Sequence, residues 1–223
     1  MKTTTRQRIL DKAVELFNNN GFASVTLFEI AGALDMTRGN LTYHYKDKDA
    51  LLQAISDEFW SKFEKEKSQS TMLPSFGKMH HDVQLFYRYQ RQYSFIFMDD
   101  HVLRSPVIRQ KFKEVTEQSI KEMEATIAFA IAAGNMHPEP YEGIYHNLAV
   151  STWMLSFYWL NQQMILGDET DLTSEEGEKK IWSLLLPHLT ERGMEAFRKY
   201  FGQDYLKKIG KSFQADIRQY VGF

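Results

Sequence analysis

The sequence predicts an all-α fold, with short helices at the N-terminus followed by a larger helical bundle. Helix caps and helix stops recur along the chain, and the apolar residues between them return every three or four positions, the spacing of one helix face. No segment has the strict alternation of apolar and polar residues that a half-buried strand requires. Of the 223 residues, 43% are hydrophobic and 25% are charged, as in an ordinary globular protein.

Composition limits the chemistry and the location of the protein. The chain has no cysteine, which excludes structural disulfides, thiolate metal sites and cysteine nucleophiles. Its start, MKTTTRQRIL, runs into charged helix-forming sequence, so we expect no signal peptide. No apolar run is long enough to cross a bilayer. We therefore expect a cytoplasmic protein without a membrane partner.

The charge of the chain is unevenly distributed. The formal net charge is −2, yet residues 1–46 hold six Lys or Arg against four Asp or Glu, which leaves +2 there and −4 on the rest. Only the docking face of a protein meets phosphate, so the local balance matters more than the total. The asymmetry points towards nucleic acid but is too weak to establish it.

The first four helices follow from local signals. Residues 4–20 form the first, because their apolar positions share one face and Gly21 can end the helix. Thr26 and Glu29 make a capping box that starts a short helix ending near residue 34. Asp35 tolerates the left-handed backbone of a tight corner, and Thr37 caps a third helix to about residue 43. Asp47 then caps a fourth helix to about residue 67. The residues expected on its inner face are Leu51, Leu52, Ile55 and Phe59.

Two short helices joined by a tight corner indicate a helix-turn-helix, and the third helix carries side chains that suit a major groove. Spacing alone also fits a packed bundle whose polar residues are merely solvated. The residues that we expect to read base edges are Thr37, Arg38 and Asn40, with Gly39 letting the backbone approach DNA. Those expected mainly to contact phosphate are Tyr43, His44, Lys46 and Lys48. Thr26 and Thr42 complete the predicted DNA-binding set.

The same stretch resembles a known family. TLFEIA from Thr26, followed by LDMTRGNLTYHYKDKDALL from Leu34, is similar nearly residue by residue to the signature of the tetracycline-repressor (TetR) family of bacterial transcriptional regulators. The preceding pattern of Ile9, Leu16-Phe17 and Gly21-Phe22 matches too. This likeness covers about the first 60 residues, and beyond them only the helical layout agrees. The resemblance implies binding to double-stranded operator DNA and a homodimer.

Two positions depart from the family's pattern. Asp35 stands where the family usually has glycine, a change that a left-handed corner tolerates. Thr42 stands where the family usually has a tyrosine that contacts phosphate. Thr42 can still donate a hydrogen bond but reaches less far, so Tyr43 and Lys48 are the stronger candidates for phosphate contacts.

The linker at residues 68–74 marks the predicted domain boundary. The expected domains are a DNA-binding domain over residues 1–48, a connecting helix over 49–67, and a ligand-binding and dimerisation domain over 68–223. The connecting helix is the only continuous rigid element expected between the two. In the larger domain we predict helices over residues 74–92, 93–98, 106–133 and 141–166, one that starts at a capping box of Thr173 and Glu176, and one over 204–220.

The helix over residues 141–166 is apolar on nearly every face and must be covered on several sides. We expect one side to meet its own domain. The other would meet a second copy, together with the helix near residues 181–189, as an isologous four-helix bundle. The family resemblance implies the same dimer. The predicted interface residues are Leu148, Leu155, Ile181, Leu185 and Leu189.

Aromatic residues are concentrated in the larger domain, since 26 of the 31 lie beyond residue 50. Such stripes are more often core than cavity wall, and the sequence leaves both readings open. A concave apolar site would bind a small-molecule effector. Its predicted lining is Tyr89, Phe95, Phe97, Met98, Met123, Ile127, Trp153 and Phe157. Candidate polar groups, which the sequence does not rank, are Arg88, His101, His146 and Gln162.

Catalysis has little support in the sequence. The only suggestive clusters are His80-His81-Asp82 and Asp99-Asp100-His101, and adjacent helical residues point about 100° apart, so His80 and His81 cannot share a metal. No catalytic triad order, P-loop or dinucleotide motif is present. We therefore predict no enzyme, cofactor or metal. The predicted function is a DNA-binding repressor released from a palindromic operator by a small apolar or amphipathic effector. The alternative is a helical interaction protein of the same fold controlled by a protein partner.

Overall fold

The structure, a computed structural model, describes residues 4–69, 73–167 and 174–212, and within these ranges the regular elements are all helices, without a strand. One isolated β-bridge joins Met136 to Leu189. The predicted all-α fold is confirmed. In the described ranges no helix combines the length and the apolar character that crossing a membrane requires.

The first helix, α1 (Thr5–Asn20), has the predicted extent. Thr4 caps it by accepting a hydrogen bond from the backbone N–H of Gln7, and Gly21 ends it with φ of +80°, a conformation that side chains disfavour. Ile9, Ala13 and Phe17 are buried on its inner face. The local signals were therefore sufficient for this element.

The helix-turn-helix forms as predicted. Helix α2 (Leu27–Gly32) starts at the complete capping box of Thr26 and Glu29, and α3 (Arg38–His44) starts at Thr37, which accepts a hydrogen bond from Asn40 N. Asp35, between them, is the non-glycine residue with positive φ in the described chain, at +54°. Its left-handed backbone turns α3 across α2, as the sequence predicted.

The connecting helix, α4 (Lys48–Gln69), runs two residues further than predicted. Oδ1 of Asp47 accepts a hydrogen bond from Ala50 N at 2.7 Å and so caps its start. The predicted inner face is confirmed, and Trp60 and Phe63 extend it towards the larger domain.

The larger domain contains eight further α-helices within the described residues. They are α5 (Phe76–Gln92), α6 (Ser94–Met98), α7 (Asp100–Arg104), α8 (Pro106–Ala132), α9 (Ile144–Ile165), α10 (Ser174–Leu185), α11 (Glu191–Phe201) and α12 (Gln203–Lys207), with a 3₁₀ turn at Leu186–His188.

Four of these elements differ from the sequence predictions. Helix α7 was not predicted, and it forms because Oδ1 of Asp99 accepts a hydrogen bond from His101 N at 2.9 Å. Helix α9 begins three residues late, after Gly143 adopts φ of +88°. Pro187 falls in the 3₁₀ turn, so Leu189 lies beyond the helix. Helix α12 ends at Lys207, not residue 220; residues from 213 onward, and Thr173, lie outside the described ranges.

The core has two clusters of buried apolar side chains. One runs from Ile9 and Phe17 in α1 through Phe59 in α4 to Phe97 and Phe157. The other joins α5, α9, α10 and α11 around Trp182. The first cluster crosses the predicted boundary between the DNA-binding and the larger domain, so the helix-turn-helix is packed on the rest of the chain and not merely tethered to it.

Candidate nucleic-acid interface and ligand cavity

Helix α3 presents a polar outer face on a buried anchor. Leu41 is fully buried in the core, whereas Arg38, Gly39 and Asn40 are exposed. Tyr43 is 86% exposed, which is unusual for so large an aromatic side chain. The side chains of Arg38, Asn40 and Tyr43 have donors exposed to solvent, the feature needed for contact with a base edge or a phosphate.

The three threonines predicted to contact DNA each make a local hydrogen bond. Thr26 Oγ1 donates to Glu29 Oε2 at 2.8 Å, Thr42 Oγ1 donates to Gly39 O at 3.1 Å, and Thr37 Oγ1 accepts from Asn40 N at 3.2 Å. A hydroxyl can donate only one hydrogen bond. The hydroxyls of Thr26 and Thr42 already donate theirs within the protein, whereas that of Thr37 only accepts in its bond with Asn40. Thr26 and Thr42 therefore act first as positioning residues for α2 and α3.

Glu29 completes the cap of α2. Its Oε2 accepts a hydrogen bond from the backbone N–H of Thr26 at 2.7 Å. That bond, followed by the one from the Thr26 hydroxyl, lowers the pKa of the Glu29 carboxyl below its ordinary value. Glu29 is consequently ionised whenever the capping box is formed near neutral pH.

Lys48 has a role inside the protein. Its ammonium donates to the carbonyl oxygens of Phe22 and Ala23 and lies 4.3 Å from the centroid of the Phe22 ring. Burial lowers the pKa of Lys48. Lys48 therefore ties the loop after α1 to the start of α4, and its phosphate contact stays a prediction. Lys46, by contrast, is almost fully exposed, and its only described ionic neighbour is Asp47 at 3.8 Å.

One exposed side chain near this surface was missed by the sequence reasoning. Phe28, the second residue of α2, is 71% exposed. The signal was present, because Ile30 and Ala31 occupy the buried face of the same short helix and leave Phe28 on the other side. An exposed phenylalanine beside the reading helix extends the candidate DNA-facing surface to α2.

A second connection between the helix-turn-helix and the larger domain runs through the end of α1. Asn18 Nδ2 donates to Gln92 O at 2.9 Å, and Asn18 Oδ1 accepts from Phe95 N at 3.1 Å. Phe22 N donates to Asp99 Oδ2 at 2.7 Å. Hydrogen bonds thus fix the end of α1 and the loop after it to α6 and to Asp99, the cap of α7, in addition to the continuous connection through α4.

A cleft with a volume of about 840 Å³ opens between α4, α5, α8 and α9. Its aromatic walls are Trp60, Phe63, Phe86 and Trp153. Trp153 is fixed by a hydrogen bond from its Nε1 to Thr116 Oγ1 at 3.1 Å. Two ion pairs line the same cleft, Lys67 with Glu122 and Lys78 with Asp82. The cleft is thus apolar with a charged rim, which suits a small molecule.

The predicted cavity residues divide between wall and core. Met123 and Trp153 line the cleft, and Ile127, again with Met123, lines a smaller neighbouring cavity of about 260 Å³. The other five line neither cavity and lie in the first core cluster or against it; they are Tyr89, Phe95, Phe97, Met98 and Phe157.

Ring contacts explain this placement. Phe97 packs on Phe157 with ring centroids 5.4 Å apart and on Phe59 at 5.6 Å, and its side chain is fully buried among such neighbours. The hydroxyl of Tyr89 donates to Glu66 at 2.6 Å, and burial, then this bond, raises the pKa of Tyr89 to about 12. None of the candidate polar groups lines either cavity within the described residues; they are Arg88, His101, His146 and Gln162.

The predicted dimer residues are also mostly core. Four of the five are buried within a single chain, around Trp182 and Phe197: they are Leu148, Ile181, Leu185 and Leu189. Leu155 is half-buried against the same cluster. A side chain already covered by its own subunit cannot carry the contact with a second one, so the four buried residues do not form this interface, whereas the assignment of Leu155 stays a prediction.

A different face of α9 is open. Exposed residues recur along it at every third or fourth position, including Met154 and Tyr158, each 54% exposed, and Ile165, 80% exposed. Ile144 begins this stripe and Asn147, Ser151 and Gln162 complete it. Helix α9 is therefore covered on one side and open on another, as predicted, but the open side holds Met154 and Ile165 where Leu148 and Leu155 were expected.

Groups of three or more His, Asp or Glu side chains that could hold a metal ion do not occur in the described part of the chain. His80 instead forms a hydrogen bond with the buried carboxylate of Glu178, with 2.7 Å between Nδ1 of His80 and Oε1 of Glu178. Glu178 also accepts from Trp182 Nε1 at 2.8 Å, so this cluster ties α5 to α10.

Comparison with protein-family models gives two matches that together cover most of the chain. The model described as "Bacterial regulatory proteins, tetR family" matches residues 9–55, which contain the helix-turn-helix. The model described as "Bacterial transcriptional repressor" matches residues 54–197, more than half of the chain. The junction between the two falls inside α4.

Individual relatives support the same grouping. The chain is 34% identical over 65 residues to the probable HTH-type transcriptional regulator YttP of Bacillus subtilis (strain 168). This match covers 29% of the chain and 31% of the relative, so it spans under a third of either protein.

Solved structures share the whole architecture. A TetR-family transcriptional regulator from Marinobacter aquaeolei VT8 has a TM-score of 0.78 at 23% identity, with 91% of this chain and 99% of that chain covered. SmeT, the repressor of the Stenotrophomonas maltophilia multidrug efflux pump SmeDEF, in complex with triclosan has a TM-score of 0.65 at 19% identity, with 85% and 93% covered. At these identities the likeness shows the fold alone.

Proposed function

Because the chain belongs to the tetracycline-repressor (TetR) family of bacterial transcriptional regulators, we propose that it represses transcription as a homodimer on a palindromic operator. A small apolar or amphipathic effector that binds the cleft between α4, α5, α8 and α9 would release it. The observation that carries this proposal is a rigid helix, α4, which joins the helix-turn-helix of α2 and α3, here called the reading head, to the cleft.

The outer face of α3 supports DNA binding. Arg38 and Asn40 have the side chains that pair with guanine and adenine edges in the major groove. Tyr43 and Lys46, both exposed, suit contacts with phosphate on either side of the groove. Buried Leu41 fixes the rotation of α3, so these groups face one direction together.

The open stripe on α9 supports the dimer. A 22-residue helix with exposed Met154, Tyr158 and Ile165 on one face leaves an apolar surface that a monomer rarely keeps in water. Packing this stripe against its copy about a two-fold axis buries it on both subunits. A two-fold dimer presents two α3 helices to two half-sites, which makes the operator palindromic.

The cleft supports control by an effector. Its volume of about 840 Å³ lies within the range of sites that hold drug-sized ligands, on the order of 300–1,000 Å³. The similar protein SmeT has been solved with triclosan, a small molecule. Helix α4 rises about 28 Å, at about 1.5 Å per residue, from Lys48 beside the helix-turn-helix to Lys67 at the cleft. A tilt of α4 on ligand binding would change the spacing of the two heads.

The test is a binding titration of fluorescent DNA from upstream of the protein's own gene. We expect a specific complex that Asn40→Ala weakens, while Asn19→Ala, at an exposed asparagine on α1, leaves the affinity as it is. Equal weak binding to the upstream DNA and to random DNA would contradict the proposal. A folded protein that binds no DNA but captures a protein partner would favour the alternative, an interaction protein of the same fold.

A further inference from the structure

The cleft and the smaller cavity lie side by side and share a wall. Residues Pro74, Ser75, Met79, Met123 and Thr126 line both. Methionine side chains are unbranched and adaptable, so Met79 and Met123 can move aside at little cost. An elongated ligand in the cleft therefore has a route into the smaller cavity.

The smaller cavity suits an apolar group. Its remaining walls are almost entirely apolar and include Phe76, Ile127, Ala130, Met136, Trp182 and Leu185. Its volume of about 260 Å³ corresponds to on the order of eight groups of the size of a water molecule or a methylene. A short hydrocarbon chain would fill it.

The cleft, in contrast, has an unused hydrogen-bond acceptor. Asp82 lies on α5 one helical turn beyond Met79 and lines the cleft. Its Oδ2 accepts from Lys78 Nζ at 2.6 Å, whereas its buried Oδ1 has no partner among the described residues. That oxygen is covered by protein, so a ligand in the cleft reaches it when the Asp82 carboxylate turns about its χ2 torsion. A carboxylate oxygen without a donor is unfavourable, and a ligand that brings a donor then gains affinity.

The charges around the cleft favour a cation as that donor. Its wall has four carboxylates, on Glu64, Asp82, Glu114 and Glu122, and three ammonium groups, on Lys67, Lys78 and Lys111. Lys67 and Lys78 are already paired, with Glu122 and Asp82. The faces of Trp60, Phe86 and Trp153 also attract a cation. An anionic head would find no free ammonium except that of Lys111, which lies 5.8 Å from the Trp60 ring.

We propose that the effector is an amphipathic amine. Its ammonium head donates a hydrogen bond to Asp82 in the cleft, and its apolar chain passes Met79 and Met123 into the smaller cavity. The inference rests on the proposed function, since it names the ligand class of the same cleft.

A chain-length series tests the two-part site. Calorimetry with n-alkylamines from hexylamine to dodecylamine, below micelle-forming concentrations, should show affinity rising about fourfold per methylene until the smaller cavity is full. Alkanols of the same length should bind more weakly, and alkyl carboxylates more weakly still. Carboxylates that bind as tightly as the amines, or affinity without dependence on length, would overturn the proposal.

Two substitutions separate head from tail. Asp82→Asn should lower the affinity for decylamine tenfold to a hundredfold and leave that for decanol little changed; Asp204→Asn, at an exposed carboxylate on α12, is the matched control. Ala130→Phe fills the smaller cavity from α8 and should shorten the longest amine that still gains affinity. Ala128→Phe, at an exposed position of the same helix, should show the same dependence of affinity on the chain length of the amine as the native protein.

Ala196→Leu fills the same cavity from α11 and replaces Ala130→Phe if that variant does not fold. An unchanged length profile in the folded cavity-filling variant would overturn the assignment of the tail site. Operator binding is measured on the same samples. A protein that binds its operator but no amine overturns this inference and leaves the proposed function intact, whereas loss of operator recognition in the native chain contradicts the proposed function itself.

Discussion

The backbone N–H of Phe22 donates a hydrogen bond to Oδ2 of Asp99 at 2.7 Å. On its other side, the carbonyl oxygen of Phe22 accepts from the ammonium of Lys48. The loop between α1 and α2 is thus held between α7 of the larger domain and the first residue of α4. A displacement of α6 and α7 against α4 would therefore be transmitted to the helix-turn-helix through Phe22 as well as through α4.

Asp99→Ala should therefore affect stability and coupling together. It removes the bond to Phe22 and the N-cap of α7, and each such loss costs about 1–2 kcal/mol of unfolding free energy. Urea unfolding measures this loss of unfolding free energy. Asp100→Ala removes an exposed pair with Arg104 and should cost well under half as much. Equal effects of the two substitutions would mean that the Phe22 contact contributes nothing to the fold.

Gly39 allows a clean test of close approach to DNA. A Cβ added there meets nothing nearer than 3.8 Å in the protein, and helical Gly→Ala changes stabilise by about 0.5–1 kcal/mol. Gly39→Ala should thus raise the melting temperature while weakening operator binding. Gly32→Ala, in α2 with open space around it, should leave DNA affinity unchanged. Normal operator affinity in Gly39→Ala would show that DNA does not reach this backbone.

The capping box of α2 predicts a dependence on acid. Hydrogen bonds from Thr26 lower the pKa of Glu29 in the folded state, so its contribution to stability is present at neutral pH. It is lost as the pH falls through the lowered pKa. Glu29→Gln should be less stable than the native protein at pH 7 and nearly equal to it near pH 2–3, in urea unfolding at each pH. Glu195→Gln on α11 is the control, and a difference that persists unchanged in acid would contradict the role of the ionised carboxylate.

The proposed dimer depends on the open stripe of α9. Met154→Arg places a charge in the proposed interface, where an unpaired buried charge costs several kcal/mol. It should give a monomer by light scattering and lose operator binding. Met164→Arg lies on the same helix outside the stripe and should remain dimeric. Leu185→Asp, in contrast, should unfold the subunit itself, because Leu185 is buried within one chain. A dimeric Met154→Arg variant would rule out this interface.

Signals between residues close in the sequence predict most of the helices. What a side chain packs against depends on residues distant in the sequence, and no local signal predicts it. Caps at Thr26 and Thr37 and the left-handed Asp35 depend on residues within a few positions, so a single sequence contains them. Whether an apolar residue meets core, cavity or partner depends on what lies opposite. Phe157 and Trp153 stand one helical turn apart, yet the first packs into the core and the second lines the cleft.

The same reasoning explains why the sequence predicts Leu148 and Leu155, and not Met154, on the open side of α9. Leu148 and Leu155 look like better interface residues than Met154 and Tyr158, because leucine is the more usual apolar contact. Trp182 and Phe197, distant in sequence, take up the leucine face of this helix. Periodicity identifies a face but not its neighbour, so the position of the open stripe needs the structure.

Effector and operator DNA should each lower the affinity of the protein for the other, and Trp153 can report the binding of the effector. Trp153 lines the cleft, and a ligand there changes its fluorescence, so titration gives the ligand affinity directly. The coupling should be about 1–3 kcal/mol, which is a five- to 150-fold loss of DNA affinity. Saturating operator DNA must weaken the ligand by the same factor, since the two binding free energies form one cycle. Trp153→Ala should lose the response to ligand, whereas Trp159→Phe, at a tryptophan outside the cleft lining, should retain it. A ligand that binds free and DNA-bound protein with equal affinity would contradict the proposal that it tilts α4 and releases DNA. A ligand shifts an equilibrium only by its difference in affinity for the two states.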